Sequence, residues 1–130
     1  MLRVLMRIVF GSTRYVLLVG RFALKIGRGR RGRLCNLREF ERWTEASPAR
    51  REMLCPTLSV WCGGMIAIQP RAAAMTEAEA QRRRDEFDFP SWDYRPGEAH
   101  GDPTEPKASD WGYLSGKPVA LDYGMPDEDC

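Results

Sequence analysis

TRYVLLVGRFALKIG, residues 13–27, is the stretch that decides the fold. Phe22, Leu24 and Ile26 alternate with Arg21, Ala23 and Lys25, the two-residue period of a β-strand. Residues 15–19 form a short apolar run just before, and Gly20-Arg21 leaves room only for a tight connection, so the two segments read as a hairpin. Working outward, Val4, Met6, Ile8 and Phe10 alternate with Arg3, Leu5, Arg7 and Val9, and Gly11-Ser12-Thr13 turns the chain into that hairpin. On the other side, TLSVWC (57–62) and MIAIQ (65–69) are strand-like and flank Gly63-Gly64, a strong signal for a second hairpin. The pattern predicts an α+β fold: a five-stranded antiparallel sheet with strands near residues 3–10, 14–19, 21–27, 57–62 and 65–69, and one helix inserted after the third and packed on it.

That helix is expected from Asn36, a suitable N-cap, because Leu37, Phe40 and Trp43 recur at a spacing of three while Glu39, Glu41 and Arg42 fall on the wet side. GRGRRGR, residues 27–33, reads as a mobile loop, since its glycines oppose regular structure and its arginines repel one another. Further on, Thr76-Glu77-Ala78-Glu79 has the form of a capping box and opens a helix to about Phe87. Residues 88–109 hold Pro90, Pro96, Pro103 and Pro106, lack apolar periodicity, and read as irregular. Residues 111–114 and 118–121 bracket Ser115-Gly116-Lys117 as a last hairpin, followed by Asp122-Tyr123-Gly124 and an acidic tail. The chain is expected as one compact unit, a sheet-and-helix part over 1–70 and a reduced part with a helix and a β-hairpin over 71–130. Trp43, Trp61, Trp92 and Trp111 are expected as core anchors.

With 130 residues, 43% of them apolar, the chain can bury one core of ordinary domain size. The net charge of +2 conceals an asymmetry: residues 1–65 hold 13 Lys/Arg against 4 Asp/Glu, and residues 66–130 hold 7 against 14. A basic front and an acidic back attract each other or face partners of opposite sign. Cys35, Cys55, Cys62 and Cys130 form no CxxC pair and His100 stands alone, which argues against a structural zinc site. Arg3 and Arg7 interrupt the apolar start, and no 18-residue apolar run exists. The expectation is a cytoplasmic protein with reduced thiols and no membrane contact.

Several remote motifs fall in a meaningful order. Lys25 lies in ALKI on the third strand, and Glu39 or Glu41 on the helix that follows; Glu39 is preferred. Glu105-Pro106-Lys107-Ala108-Ser109-Asp110 sets a lysine two residues after an acid and a second acid five after it, and Asp122-Tyr123-Gly124 comes 12 residues beyond Asp110. Together these resemble protein kinases: Lys25 the strand lysine, Glu39 its helix partner, residues 105–110 the catalytic loop, and residues 122–124 the Asp-Phe-Gly triplet. The similarity covers roughly residues 8–125 and is weakest over 71–100. SDWGYLSGKPVALDYG also resembles the ends of small kinase-like (pseudokinase-like) proteins of tailed phages and their bacterial hosts. A second alignment sets His100-Gly101-Asp102 against the His-Gly-Asp of small-molecule kinases, but it puts Lys107 at the asparagine position.

The resemblance implies Lys25 and Glu39 at a nucleotide, Glu105 and Lys107 in the catalytic loop, and Asp110 and Asp122 on magnesium. The departures carry equal weight. Gly11 and Gly20 are all that remains of a glycine-rich loop, Glu105 is one methylene longer than the usual base, and Asp110 replaces asparagine. Only six residues follow Gly124, so no activation segment or helical lower lobe is expected. The leading expectation is a non-catalytic kinase-like protein that binds a macromolecular partner, in the phage setting an inhibitor of a host protein such as a defence factor. The alternative is a minimal phosphotransferase using ATP and magnesium. The third is nucleic-acid binding through Arg28, Arg30, Arg31 and Arg33, by neutralisation of backbone charge. Each motif also has a structural reading: Lys25 and Glu39 as an ion pair, Asp122 as a turn cap, the arginines as a solvated surface.

Overall fold

The computed structural model describes residues 6–10, 13–92 and 103–124, the first five by their backbone alone. It is a mixed α+β arrangement of antiparallel sheets and few helices. Strands β1 (Met6–Phe10), β2 (Arg14–Val19) and β3 (Phe22–Gly27) precede helix α1 (Gly29–Glu45) and a short helix α2 (Pro48–Arg51). β4 (Ser59–Trp61), β5 (Ile66–Pro70), β6 (Ala73–Ala74), α3 (Glu77–Asp85), β7 (Trp111–Leu114) and β8 (Lys117–Ala120) follow. The first sheet has the order β1-β2-β3-β5-β4, and β6-β7-β8 form a second. All named pairings are antiparallel. Gly20 makes the β2–β3 turn at φ +56, the left-handed region where a side chain is strained.

In an antiparallel sheet, residues directly opposite share a face. Lys25 stands opposite Val16 and Ala67, and Ala67 opposite Val60. The same face carries Arg14, Ala23 and Gln69, all buried with Lys25 and Ala67. α1 packs there. The main apolar core lies elsewhere, around Met53, Leu54, Met75, Ala80, Trp111, Ala120 and Tyr123. It joins the two halves of the chain through backbone bonds from Cys55 N to Ala120 O (2.8 Å) and from Ala120 N to Met53 O (2.7 Å).

Four expectations need correction. Residues 29–33 are helix, not a mobile loop, because Gly32 lets α1 lie against the end of β3: a Cβ there would come within 2.9 Å of Gly27 Cα and collide with Thr13 O. The glycine serves close approach rather than freedom. Asn36 is no N-cap; it is buried in mid-helix, and Glu39 lies on the buried side, not the wet one. TLSVWC contracts to a three-residue strand, and Trp61 is 59% exposed instead of anchoring a core, unlike Trp111 at 2%. Cys55 and Cys62 are free thiols, but Cys35 is disulfide-bonded, which departs from reduced thiols throughout. The capping box at Thr76 is present, with Glu79 N donating to Thr76 Oγ1 at 3.1 Å, and α3 stops at Asp85, short of Phe87. α2 and β6 were not anticipated. Residues 3–5 of the first expected strand lie outside the described residues.

Candidate functional site

β3 sends Lys25 inward, and the buried stripe of α1 (Gly32, Cys35, Asn36, Glu39) recurs at helical spacing to meet it. Lys25 Nζ donates to Glu39 Oε1 at 2.6 Å and to the Leu121 carbonyl. The other oxygen of Glu39 binds Arg14 at 2.7 Å, and Arg14 also binds Asp122 Oδ1 at 2.6 Å. Two cations and two carboxylates thus close on one another. Asn36 frames them: its amide donates to Lys25 O (2.9 Å) and Gly64 O (2.8 Å), and its oxygen accepts from Arg14 at 3.1 Å. These bonds explain how the Asn36 amide can be buried on the inner face of the helix.

The segment after β8 is drawn beneath the sheet by a second set of bonds. Tyr123 Oη donates to Cys55 O at 2.6 Å and lies 2.7 Å from Thr57 Oγ1, which accepts from Gln69 at 3.2 Å. Tyr123 N donates to Glu39 Oε2 at 3.3 Å. Arg42 reaches Gly124 O at 3.1 Å, and a Cβ on Gly124 would stand 2.7 Å from Cys35 O, so the backbone passes α1 too closely for a side chain.

Burial opposes every charge here, and the neighbours decide the outcome. Glu39 would be pushed up by burial, but Arg14 and Lys25 outweigh that and hold it below the usual carboxylate range. Arg14, despite burial, is held more firmly protonated by Glu39 and Asp122. Burial and the adjacent Arg14 lower Lys25, with Glu39 and Asp122 pulling the other way. Asp122 is raised by burial and by Glu39, against Arg14 and Lys25.

A second group adjoins the first. Lys107 Nζ lies 3.3 Å from Glu105 and 3.6 Å from Asp110. Asp110 is raised to about 6, by burial first and then by Asp122, so the two carboxylates sense each other. Trp111 Nε1 donates to Glu105 O at 2.7 Å and fixes that backbone, while the Glu105 side chain is 64% exposed.

Of the residues expected at a site, Lys25, Glu39 and Asp122 are joined in one buried network. Asp110 neighbours it, and Glu105 and Lys107 connect through Asp110. Among the described residues, no three His, Cys, Asp or Glu side chains are grouped so that they could hold a metal ion. Arg28, Arg30, Arg31 and Arg33 lie at the start of α1, away from this network, with exposed side chains; Arg28 stacks over Tyr15 at 4.8 Å. Gly11 and His100-Gly101-Asp102 lie outside the described residues. Sequence reasoning missed Arg14. The signal was available, because Arg14 opposite Gly27 sits in the same alternation as Lys25. Among the described residues, no helix is long and apolar enough to cross a membrane. Compared with family models and with curated proteins, the chain matches none, and the chemistry of this network has to be argued from its own geometry.

Proposed function

We propose that the chain is a non-catalytic, kinase-like binding module, an N-lobe-like sheet with one packed helix, that acts by engaging a macromolecular partner. In the phage setting implied by the resemblance, that partner is a host protein or complex such as a defence factor. The non-catalytic part rests on one observation: the Arg14 guanidinium bridges Glu39 (2.7 Å) and Asp122 (2.6 Å). The resemblance gives Lys25 the task of gripping phosphates and Asp122 that of holding magnesium. The Lys25–Glu39 pair is the one the resemblance implies, but Lys25 also donates to Leu121 O, and Asp122 is occupied by Arg14. Magnesium at Asp122 Oδ1 would have to displace a guanidinium. Breaking a buried ion pair costs about 3–5 kcal/mol. That is enough to carry a micromolar ligand, worth about 8.2 kcal/mol, towards the millimolar range near 4.1 kcal/mol. Binding through the front of the molecule is supported by the exposed arginines at the start of α1, which suit an acidic surface.

A second reading, a minimal phosphotransferase, is favoured by the Asp110–Asp122 pair, since two carboxylates that repel each other gain from a cation. A thermal-shift titration with ATP and magnesium separates the two. We expect no shift at millimolar ATP; stabilisation by about 2.7 kcal/mol, the effect of a ligand at a hundred times its Kd, would favour the phosphotransferase.

A further inference from the structure

We propose that Arg14 is the protein's own counter-cation: its guanidinium fills an oxygen cluster that a divalent metal ion would otherwise enter, so the segment after β8 is held without metal or nucleotide. Three oxygens converge on this one group. Glu39 Oε2 lies 2.7 Å from Nη1, Asn36 Oδ1 lies 3.1 Å from the same nitrogen, and Asp122 Oδ1 lies 2.6 Å from Nη2. Asn36 and Glu39, three residues apart, belong to the buried stripe of α1; Arg14 enters from the first position of β2, and Asp122 follows β8. The planar fork of arginine presents donors along separate edges, which lets one side chain bridge two carboxylates and an amide oxygen at once. Lysine, a compact point charge, does not have that reach on several sides.

A hard cation takes the same surroundings. Magnesium and manganese bind carboxylate and amide oxygens and keep several waters. Water reaches this cluster at Asp122, whose side chain is 31% exposed, while Glu39 is fully buried. Charge decides which cation holds the place. Arg14 and Lys25 balance Glu39 and Asp122, and with the guanidinium present an incoming metal ion faces two buried cations. Without it, Lys25 still answers Glu39, Asp122 is left as an uncompensated anion, and the neighbouring Asp110 adds to the negative charge. The resemblance implies magnesium on Asp122; the residues of this chain do not fit that ion, because a cation the chain carries itself is already there. The inference deepens the non-catalytic reading and rests on it: the partner is engaged by a fold that needs no divalent ion.

Thermal melts of the full chain with manganese chloride, against sodium chloride of equal ionic strength, test this. The wild type should not respond at up to about 10 mM manganese. Arg14→Ala leaves room for a hydrated ion, and its melting point should rise with manganese. Its apparent affinity should exceed that of the wild type by on the order of 100-fold or more, the factor that displacing the guanidinium costs. Adding Asp122→Asn to Arg14→Ala should abolish the response, and Arg14→Lys, which restores a positive charge, should show none. If Arg14→Ala is unfolded without metal, circular dichroism should show manganese restoring the fold where sodium chloride does not. A folded Arg14→Ala protein that ignores manganese would overturn the proposal, as would an unfolded one that manganese fails to restore. So would a response that survives Asp122→Asn, or a wild type that binds manganese as tightly as the variant. The ATP titration stands apart from these outcomes: a chain that ignores ATP and magnesium, yet gains no metal site on losing Arg14, keeps the non-catalytic reading and loses this inference.

Discussion

Glu39→Gln isolates the charge at the centre of the buried network. The amide keeps the shape of the carboxylate but removes the anion between Arg14 (2.7 Å) and Lys25 (2.6 Å). Arg14 then retains Asp122, whose side chain is 31% exposed, and the neutral Asn36 oxygen, and Lys25 retains the Leu121 carbonyl. Two buried cations face each other without the anion that joined them. Removing one member of a buried pair costs about 3–5 kcal/mol, a large part of the roughly 5–15 kcal/mol that holds a domain together. For a chain of this size that corresponds to a melting point lower by on the order of 10–20 °C. The pH dependence supplies a second signature. Because Glu39 is held below the usual carboxylate range, its contribution is present above the unfolded value of 4.5 and is lost as pH falls through the folded value. The gap between wild type and variant should therefore be full at pH 7 and close in acid. Urea denaturation at pH 7 and at stepwise lower pH measures it. A loss below about 1 kcal/mol, or a gap that ignores pH, would show that the network does not hold the charges as argued.

Two further outcomes follow from other parts of the molecule. Asp110, raised to about 6 from 3.8, carries a penalty that is absent below the lower value and complete above the higher one. Asp110→Asn should stabilise the protein by on the order of 1 kcal/mol at pH 8, since solvent screens part of the penalty and the contact with Lys107 is lost, and by nothing near pH 3.5, as denaturation at the two pH values would show. Gly32→Ala should cost about 1–3 kcal/mol or more in a urea titration, because its Cβ would collide with Thr13 O and stand 2.9 Å from Gly27 Cα, whereas Gly116→Ala, with open space around it, should cost only the strain of φ +77.

Local pattern determined the elements that depend on neighbours in sequence. The β2–β3 hairpin was legible because alternation and Gly20 agree over adjacent residues, and the start of α3 because Thr76 and Glu79 satisfy each other within one turn. The order of Lys25, Glu39, Asp110 and Asp122 was also legible, since spacing along a chain survives folding. Only the tertiary structure decided what those groups do to one another. Arg14 and Asp122 are 108 residues apart, and no local rule indicates that the guanidinium of one closes on the carboxylate of the other. Gly32 misled for the same reason: a glycine read alone signals freedom, while its use here is set by Thr13, just before β2, and Gly27, at the end of β3, pressing against it. The sheet gives the clearest case. Alternation distinguishes two faces but not which one is covered, and burial fell to the face with Lys25 and Gln69 because α1 and Tyr123 bring the charges and hydrogen-bond partners those residues need when removed from water.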